Sequence, residues 1–142
     1  MHKILFVCHG NICRSPMAEF VMKDMVKKAG LAGEFLIASV AVSREELGNP
    51  VYPPARRVMN SHGIICDGHH ARQITQKDVD AFDHIYYMDS SNRRYLERMF
   101  PGETKFRPLL DRDVADPWYS GDFTQTWEDI TKGCSRILEE LV

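Results

Sequence analysis

Near the start of the chain stands the run Cys8-His9-Gly10-Asn11-Ile12-Cys13-Arg14-Ser15. A thiol, a guanidinium and two residues that tolerate unusual backbone geometry are the parts of an anion cradle. Gly and Asn let several consecutive N–H groups turn into one concavity. A helix N-terminus immediately downstream adds its own N–H groups and positive dipole end. Arg14 supplies a planar fork that pairs two oxygens of a phosphate-like group at once. Cys8 lies on the floor of that cradle, where helix termini and cations favour the thiolate. A thiolate beneath a bound phosphate is a nucleophile aimed at phosphorus. Ser15 can donate its hydroxyl to that sulfur and ease its later departure. The ending Gly-Lys-[Ser/Thr] of a nucleotide-binding loop is missing, which disfavours nucleotide hydrolysis.

Such a loop needs a strand before it and a helix after it. Lys3-Ile-Leu-Phe-Val-Cys8 is a continuous apolar run of strand length, as in a sheet covered on both faces. Pro16 fits the first position of a helix. Met17, Phe20, Val21 and Met25 then give it one apolar face, and Gly30 stops it. Phe35–Ser39 reads as a second strand, residues 43–54 as a long loop, and a short helix runs through Val58 to near Gly63. Thr75-Gln-Lys-Asp78 resembles a capping box opening another short helix. His84–Met88 is a third strand. Asp89 or Ser90 caps a helix to Phe100, and Lys105–Leu109 is a short fourth strand. Residues 112–121 read as irregular, and a last helix carries Trp127, Ile130, Cys134, Ile137, Leu138 and Leu141 on one stripe. Alternating strands and helices predict an α/β fold with a mostly parallel sheet between two helical layers. Ligands bind such sheets at the carboxyl ends of the strands, which is where Cys8 falls.

Composition agrees with one globular domain. The chain has 142 residues, 44% of them hydrophobic, with 18 basic and 20 acidic side chains for a net charge of −2. That balance argues against general affinity for nucleic acid or membranes, so an anionic substrate must be held locally. No apolar run approaches a signal segment or a membrane span. The cysteines Cys8, Cys13, Cys66 and Cys134 read as cytoplasmic thiols and not as a disulfide framework. Cys66, His69 and His70 have irregular spacing and no obvious fourth partner, so no metal site is expected. Hydrolysis of a phosphate ester would also be helped by an acid that protonates the departing oxygen. Asp113 and Asp116 are carboxylates of the late irregular loop. Only Asp116 precedes Pro117, Trp118 and Tyr119, whose rings can wall a pocket. By residue type alone Asp116 reads better as a turn carboxylate.

Val7-Cys-His-Gly-Asn-Ile-Cys-Arg-Ser-Pro16 resembles the signature of the low-molecular-weight protein tyrosine phosphatases. The likeness continues through Gly48-Asn-Pro50, His62-Gly-Ile64, Ala71-Arg-Gln-Ile-Thr75, Met88-Asp89 with Asn92, and Asp116-Pro-Trp-Tyr119. It implies a four-stranded parallel sheet and metal-independent, cofactor-free hydrolysis of phosphotyrosine in proteins or peptides, releasing inorganic phosphate. The expected working form is a cytoplasmic monomer. It makes Cys8 the nucleophile, Arg14 the phosphate-binding cation and Asp116 the acid. His9, Gly10, Asn11, Ile12, Cys13, Arg14 and Ser15 form the phosphate loop. Asn11, Ser39 and His62 match positions that brace it.

Departures from the family pattern include His9, where many relatives carry an apolar or small residue, and Glu45, where some place an aromatic. Trp118-Tyr119 replaces a Tyr-Tyr pair. Arsenate reductases and protein arginine phosphatases share the scaffold. The first need further cysteines to resolve an arsenylated one, and none lies between Asp67 and Gly133. The second place Thr where Ile12 offers an apolar contact to a phenyl ring. A phosphotyrosine-binding module without turnover is the non-enzymatic alternative. Cys13, five positions from Cys8 across a tight curl, is a candidate partner for a redox disulfide, which needs Cα atoms about 4.4–6.8 Å apart.

Overall fold

The computed structural model describes residues 1–142. Strand β1 (His2–Cys8) lies at the centre of a four-stranded, all-parallel sheet. β2 (Phe35–Ala41) pairs with one side of it and β3 (His84–Tyr87) with the other. β4 (Phe106–Pro108) completes the order β2-β1-β3-β4. The continuous apolar run of β1 has the physical cause expected of it. Ile4, Phe6 and Cys8 face one helical layer, whereas Leu5 and Val7 face the other. The first layer holds α1 (Arg14–Lys28), α2 (Pro53–Ser61) and α6 (Phe123–Leu141); the second holds α3 (Gln76–Ala81) and α4 (Ser90–Met99). Fully burying side chains such as Phe6, Ile4, Met17 and Met22 contributes roughly 1.5–3 kcal/mol each. α6 packs so closely on the strand ends that a Cβ on Gly133 would lie 2.5 Å from Leu109 Cγ.

Boundaries expected from the sequence shift in two informative places. α1 begins at Arg14, not at Pro16. Pro16 is its third residue, and the missing N–H is still harmless because the first four N–H groups of a helix have no intrahelical acceptor. Arg14 and Ser15 therefore lie in the first helical turn, which fixes their direction. The stretch 112–121 is not wholly irregular: α5 (Pro117–Ser120) is a single turn capped by Asp116, whose side chain accepts from Trp118 N–H. Thr75 with Asp78 and Asp89 with Asn92 each form a reciprocal capping box at the starts of α3 and α4. A short 3-10 turn at Ala32–Glu34, unmarked in the sequence pattern, leads into β2.

Candidate active site

The cradle is built by turning carbonyls outward. The carbonyl of Cys8 accepts from Val42 N–H (3.0 Å) and that of His9 from Ser43 N–H (3.1 Å) and Ser43 Oγ (2.9 Å). The carbonyl of Asn11 accepts from His69 Nε2 (2.8 Å), and that of Ile12 from Tyr52 N–H (2.8 Å). In a planar trans peptide the N–H points opposite to the carbonyl. Those four anchored carbonyls therefore turn the N–H groups of His9, Gly10, Ile12 and Cys13 toward the interior of the loop.

Asn11 is the one non-glycine residue with positive φ, at 60°. Its N–H points at Cys8 Sγ (3.3 Å), and its Oδ1 accepts from Arg72 N–H (3.2 Å). Its Nδ2 donates to Ser15 Oγ (2.8 Å) and Ser39 Oγ (2.9 Å). These bonds hold a left-handed conformation that a longer side chain would resist. Gly10 does not share that conformation, contrary to the expectation from its type; its backbone φ is not positive. What Gly10 supplies is room, since a Cβ there would come within 3.2 Å of Glu46 Cγ.

Cys8 and Arg14 are nearly enclosed at the base, 3% and 2% exposed. Ser15 Oγ lies 3.0 Å from Cys8 Sγ. Arg14 NH1 donates to Asp89 Oδ2 (2.7 Å) and to the Val114 carbonyl (2.8 Å). Both NH1 hydrogens are thereby committed, which leaves Nε–H and NH2 as the fork for an anion. Burial works against the charge of Arg14. The neighbouring Cys8, Asp89 and Asp116 outweigh it and raise its pKa above the ordinary value, so Arg14 is a permanent cation. Asp116 Oδ2 reaches NH2 at 3.4 Å, while its Oδ1 is held by Trp118 N–H at 3.0 Å. Asp113, its rival by sequence, is engaged elsewhere and binds Ser90 N–H and Ser90 Oγ at 3.1 Å each.

A cleft of about 140 Å³ opens above Cys8, with Ile12, Trp118 and Tyr119 among its lining residues. Ile12 is 9% exposed, whereas Trp118 and Tyr119 are open shoulders at 52% and 86%. The Trp118 ring leans on Tyr52 at 4.8 Å. The two unusual rim residues pair with each other: His9 Nε2 donates to Glu45 Oε2 at 2.9 Å.

Histidine 62 does not reach the loop. Its Nδ1 contacts the Val58 carbonyl at 2.9 Å and its ring stacks on Trp127 at 3.9 Å, so it ties α2 to α6. His69 is the histidine that braces Asn11. It sits in the segment 69–75 that runs beside the loop, and sequence spacing carried no sign of this. His70 bonds the Gly48 carbonyl (3.2 Å), and Cys66 is buried in the main core. Asp89 was legible only as a helix cap. One oxygen caps α4 and the other holds Arg14.

The model of the low molecular weight phosphotyrosine protein phosphatase family matches residues 3–142. The low molecular weight protein-tyrosine-phosphatase YfkJ of Bacillus subtilis is 37% identical over 99% of this chain and 96% of its own length. The chain belongs to the low molecular weight phosphotyrosine protein phosphatase family. Solved structures of similar chains share its fold. The crystal structure of YfkJ superposes with a TM-score of 0.95, covering 99% of this chain and 94% of the other. A low molecular weight protein tyrosine phosphatase from Streptococcus pyogenes gives 0.93 at 39% identity, covering 100% and 94%. A Drosophila arginine phosphatase gives 0.88 at 31% identity, covering 97% and 96%.

Proposed function

We propose that this phosphatase cleaves phosphotyrosine in two steps. In the first, the Cys8 thiolate attacks phosphorus and the P–O bond to the tyrosyl oxygen breaks. Asp116, carrying a proton at this stage, gives it to the departing phenolic oxygen. In the second, Asp116 takes a proton from the attacking water, the P–S bond breaks, inorganic phosphate leaves and Cys8 returns as thiolate. The inward loop N–H groups and the Nε/NH2 edge of Arg14 hold the equatorial oxygens in both steps. The nucleophile, the acid and the donors that hold the phosphoryl oxygens are all side chains or backbone, so the route calls for no metal or cofactor. The observation that carries this reading is the meeting of Asp116 with Arg14, 102 residues apart in sequence, at the mouth of the cysteine cradle. The substrates are phosphotyrosine-containing proteins or peptides, and we take the working form to be a cytoplasmic monomer. The test is hydrolysis of a chromogenic aryl phosphate, with phosphoserine, phosphoarginine and arsenate as comparisons. No turnover on the aryl phosphate would leave only a binding module.

Ile12 bears on the arginine-phosphatase alternative, because it gives a phenyl ring apolar contact and a guanidinium no hydrogen bond. Ile12→Thr is expected to lower phosphotyrosine hydrolysis about tenfold and raise the phosphoarginine-to-phosphotyrosine rate ratio by at least as much. Steady-state kinetics on both substrates checks this. An unchanged ratio transfers selectivity to Trp118.

Cys13 bears on redox control. Burial first, then the nearby Cys8 and Asp116, push its thiol well above the ordinary range, so peroxide is expected to oxidise Cys8 before Cys13. The Cys8 sulfenic acid then condenses with the Cys13 thiol, forming the S–S bond and releasing water. Dithiothreitol should restore activity after peroxide in the wild type and much less in Cys13→Ser. Equal recovery in both, with no loss of two hydrogens by mass spectrometry, makes Cys13 a packing residue.

A further inference from the structure

One buried charge has no place in the two-step route. Glu19 lies on the second turn of α1, 8% exposed. Its Oε2 takes Lys23 Nζ at 2.5 Å, an ordinary pairing one helical turn apart. Its Oε1 does something a surface pair does not require: it reaches to β2 and accepts the Ser39 hydroxyl at 2.6 Å.

Hydrogen counting gives that contact a consequence. Asn11 Nδ2 has two hydrogens, and its two acceptors are Ser39 Oγ and Ser15 Oγ. Ser39 accepts from Asn11, so its single hydrogen must leave on the other side, toward Glu19. An ionised carboxylate can only accept, and it therefore forbids the reverse arrangement. At the far end, Arg72 N–H fixes the Asn11 Oδ1. With the amide held at both ends, Ser15 Oγ always receives a hydrogen from Asn11 and has one of its own to give. That hydrogen has two acceptors, Cys8 Sγ at 3.0 Å and the Val40 carbonyl at 3.3 Å. A Cys8 thiol can donate to Ser15 while Ser15 turns to Val40. A Cys8 thiolate receives the Ser15 hydrogen.

We propose that Glu19 is a positioning residue that fixes the direction of hydrogen bonding through Ser39 and Asn11, so that Ser15 presents its hydroxyl hydrogen to the Cys8 thiolate. The sulfur is a thiolate at two moments, when it attacks phosphorus and when it leaves it. Glu19 thus acts on both steps without touching substrate. The proposal rests on Cys8 being the nucleophile of the scheme above.

The test compares the full chain with Glu19→Gln, which keeps an acceptor for Ser39, and Glu19→Met, which keeps the volume and loses it. Ser39→Ala is made alone and with Glu19→Met. Two rates are read: alkylation of Cys8 by iodoacetate at fixed pH, and decay of acid-trapped phosphoenzyme. Glu19→Met should slow both about tenfold, while Glu19→Gln stays within about twofold of wild type. In the Ser39→Ala background Glu19→Met should add nothing, because the chain is already cut. A Gln variant as slow as the Met variant overturns the proposal, as does a Met variant with wild-type rates or losses that multiply in the double variant. Where Glu19→Met does not fold, the unmutated protein decides: the Ser39 hydroxyl hydrogen should show NMR cross-peaks to the Glu19 side chain, and cross-peaks to Asn11 Nδ2 alone overturn it. A wild type that turns over but variants that do not differ fail only the role of Glu19. A wild type without phosphoenzyme fails the scheme and this proposal together.

Discussion

Cys8→Ser is expected to lower turnover of any phosphomonoester by roughly 10⁴-fold or more while leaving inorganic phosphate bound as tightly as before. The two effects separate because the parts that bind and the part that reacts are different atoms. The inward N–H groups are aimed by carbonyl anchors at Cys8, His9, Asn11 and Ile12, none of which uses the sulfur. The free edge of Arg14 is likewise set by Asp89 and Val114. A serine hydroxyl in place of the sulfur keeps the volume nearly unchanged and accepts the same Asn11 N–H and Ser15 contacts. Competitive inhibition of residual activity, or calorimetric titration with phosphate, reads the binding half. Substantial activity in Cys8→Ser removes the covalent route. Arg14→Lys should fail in both respects, because an ammonium cannot replace the fork and leaves Asp89 and Val114 with a shorter partner in a buried site.

Much of this site was legible before any coordinates, and the reason is locality. The cradle spans eight contiguous residues, from Cys8 to Ser15. Strand, turn and helix signals on either side dictate where they fall, and the apolar run of β1 reports its burial between two helical layers. What escaped the sequence depends on contacts between distant segments. The residues after Asp116 and the family resemblance set it apart from Asp113, but its contact is tertiary: the fold sends Asp116 to Arg14 and Asp113 to Ser90. His62 and His69 differ in the same way. Both lie in polar stretches, yet α2 directs the first onto Trp127, and the segment beside the loop brings the second to Asn11. Glu19 carried no signal, since its spacing to Lys23 is that of any solvated helix face. Helix starts slipped by two residues at α1 because Pro16 is compatible with any position in the first turn, and the loop rather than the proline decided where the helix began.

Asp116→Asn is expected to penalise substrates in proportion to how poorly their phenolate leaves. On phosphotyrosine the loss should be about 10²–10³-fold, within the range of general acid catalysis. On aryl phosphates carrying strongly electron-withdrawing ring substituents it should shrink toward tenfold, because such phenolates depart without a proton. The substitution is suited to this comparison. Asparagine can still accept Trp118 N–H through Oδ1 and keep α5 capped, so the Trp118 shoulder stays in place. What disappears is the oxygen able to carry and deliver a proton, Oδ2, which faces Arg14 at 3.4 Å. The same oxygen activates water in the second step, so phosphoenzyme should also decay more slowly and accumulate on the activated substrates. A plot of log rate against leaving-group acidity, steep in Asp116→Asn and shallow in wild type, is the expected result. Asp113→Asn, whose carboxylate is held by Ser90, should keep the wild-type slope. Parallel lines for wild type and Asp116→Asn would assign the acid to another group, and a steepened line for Asp113→Asn would point to Asp113.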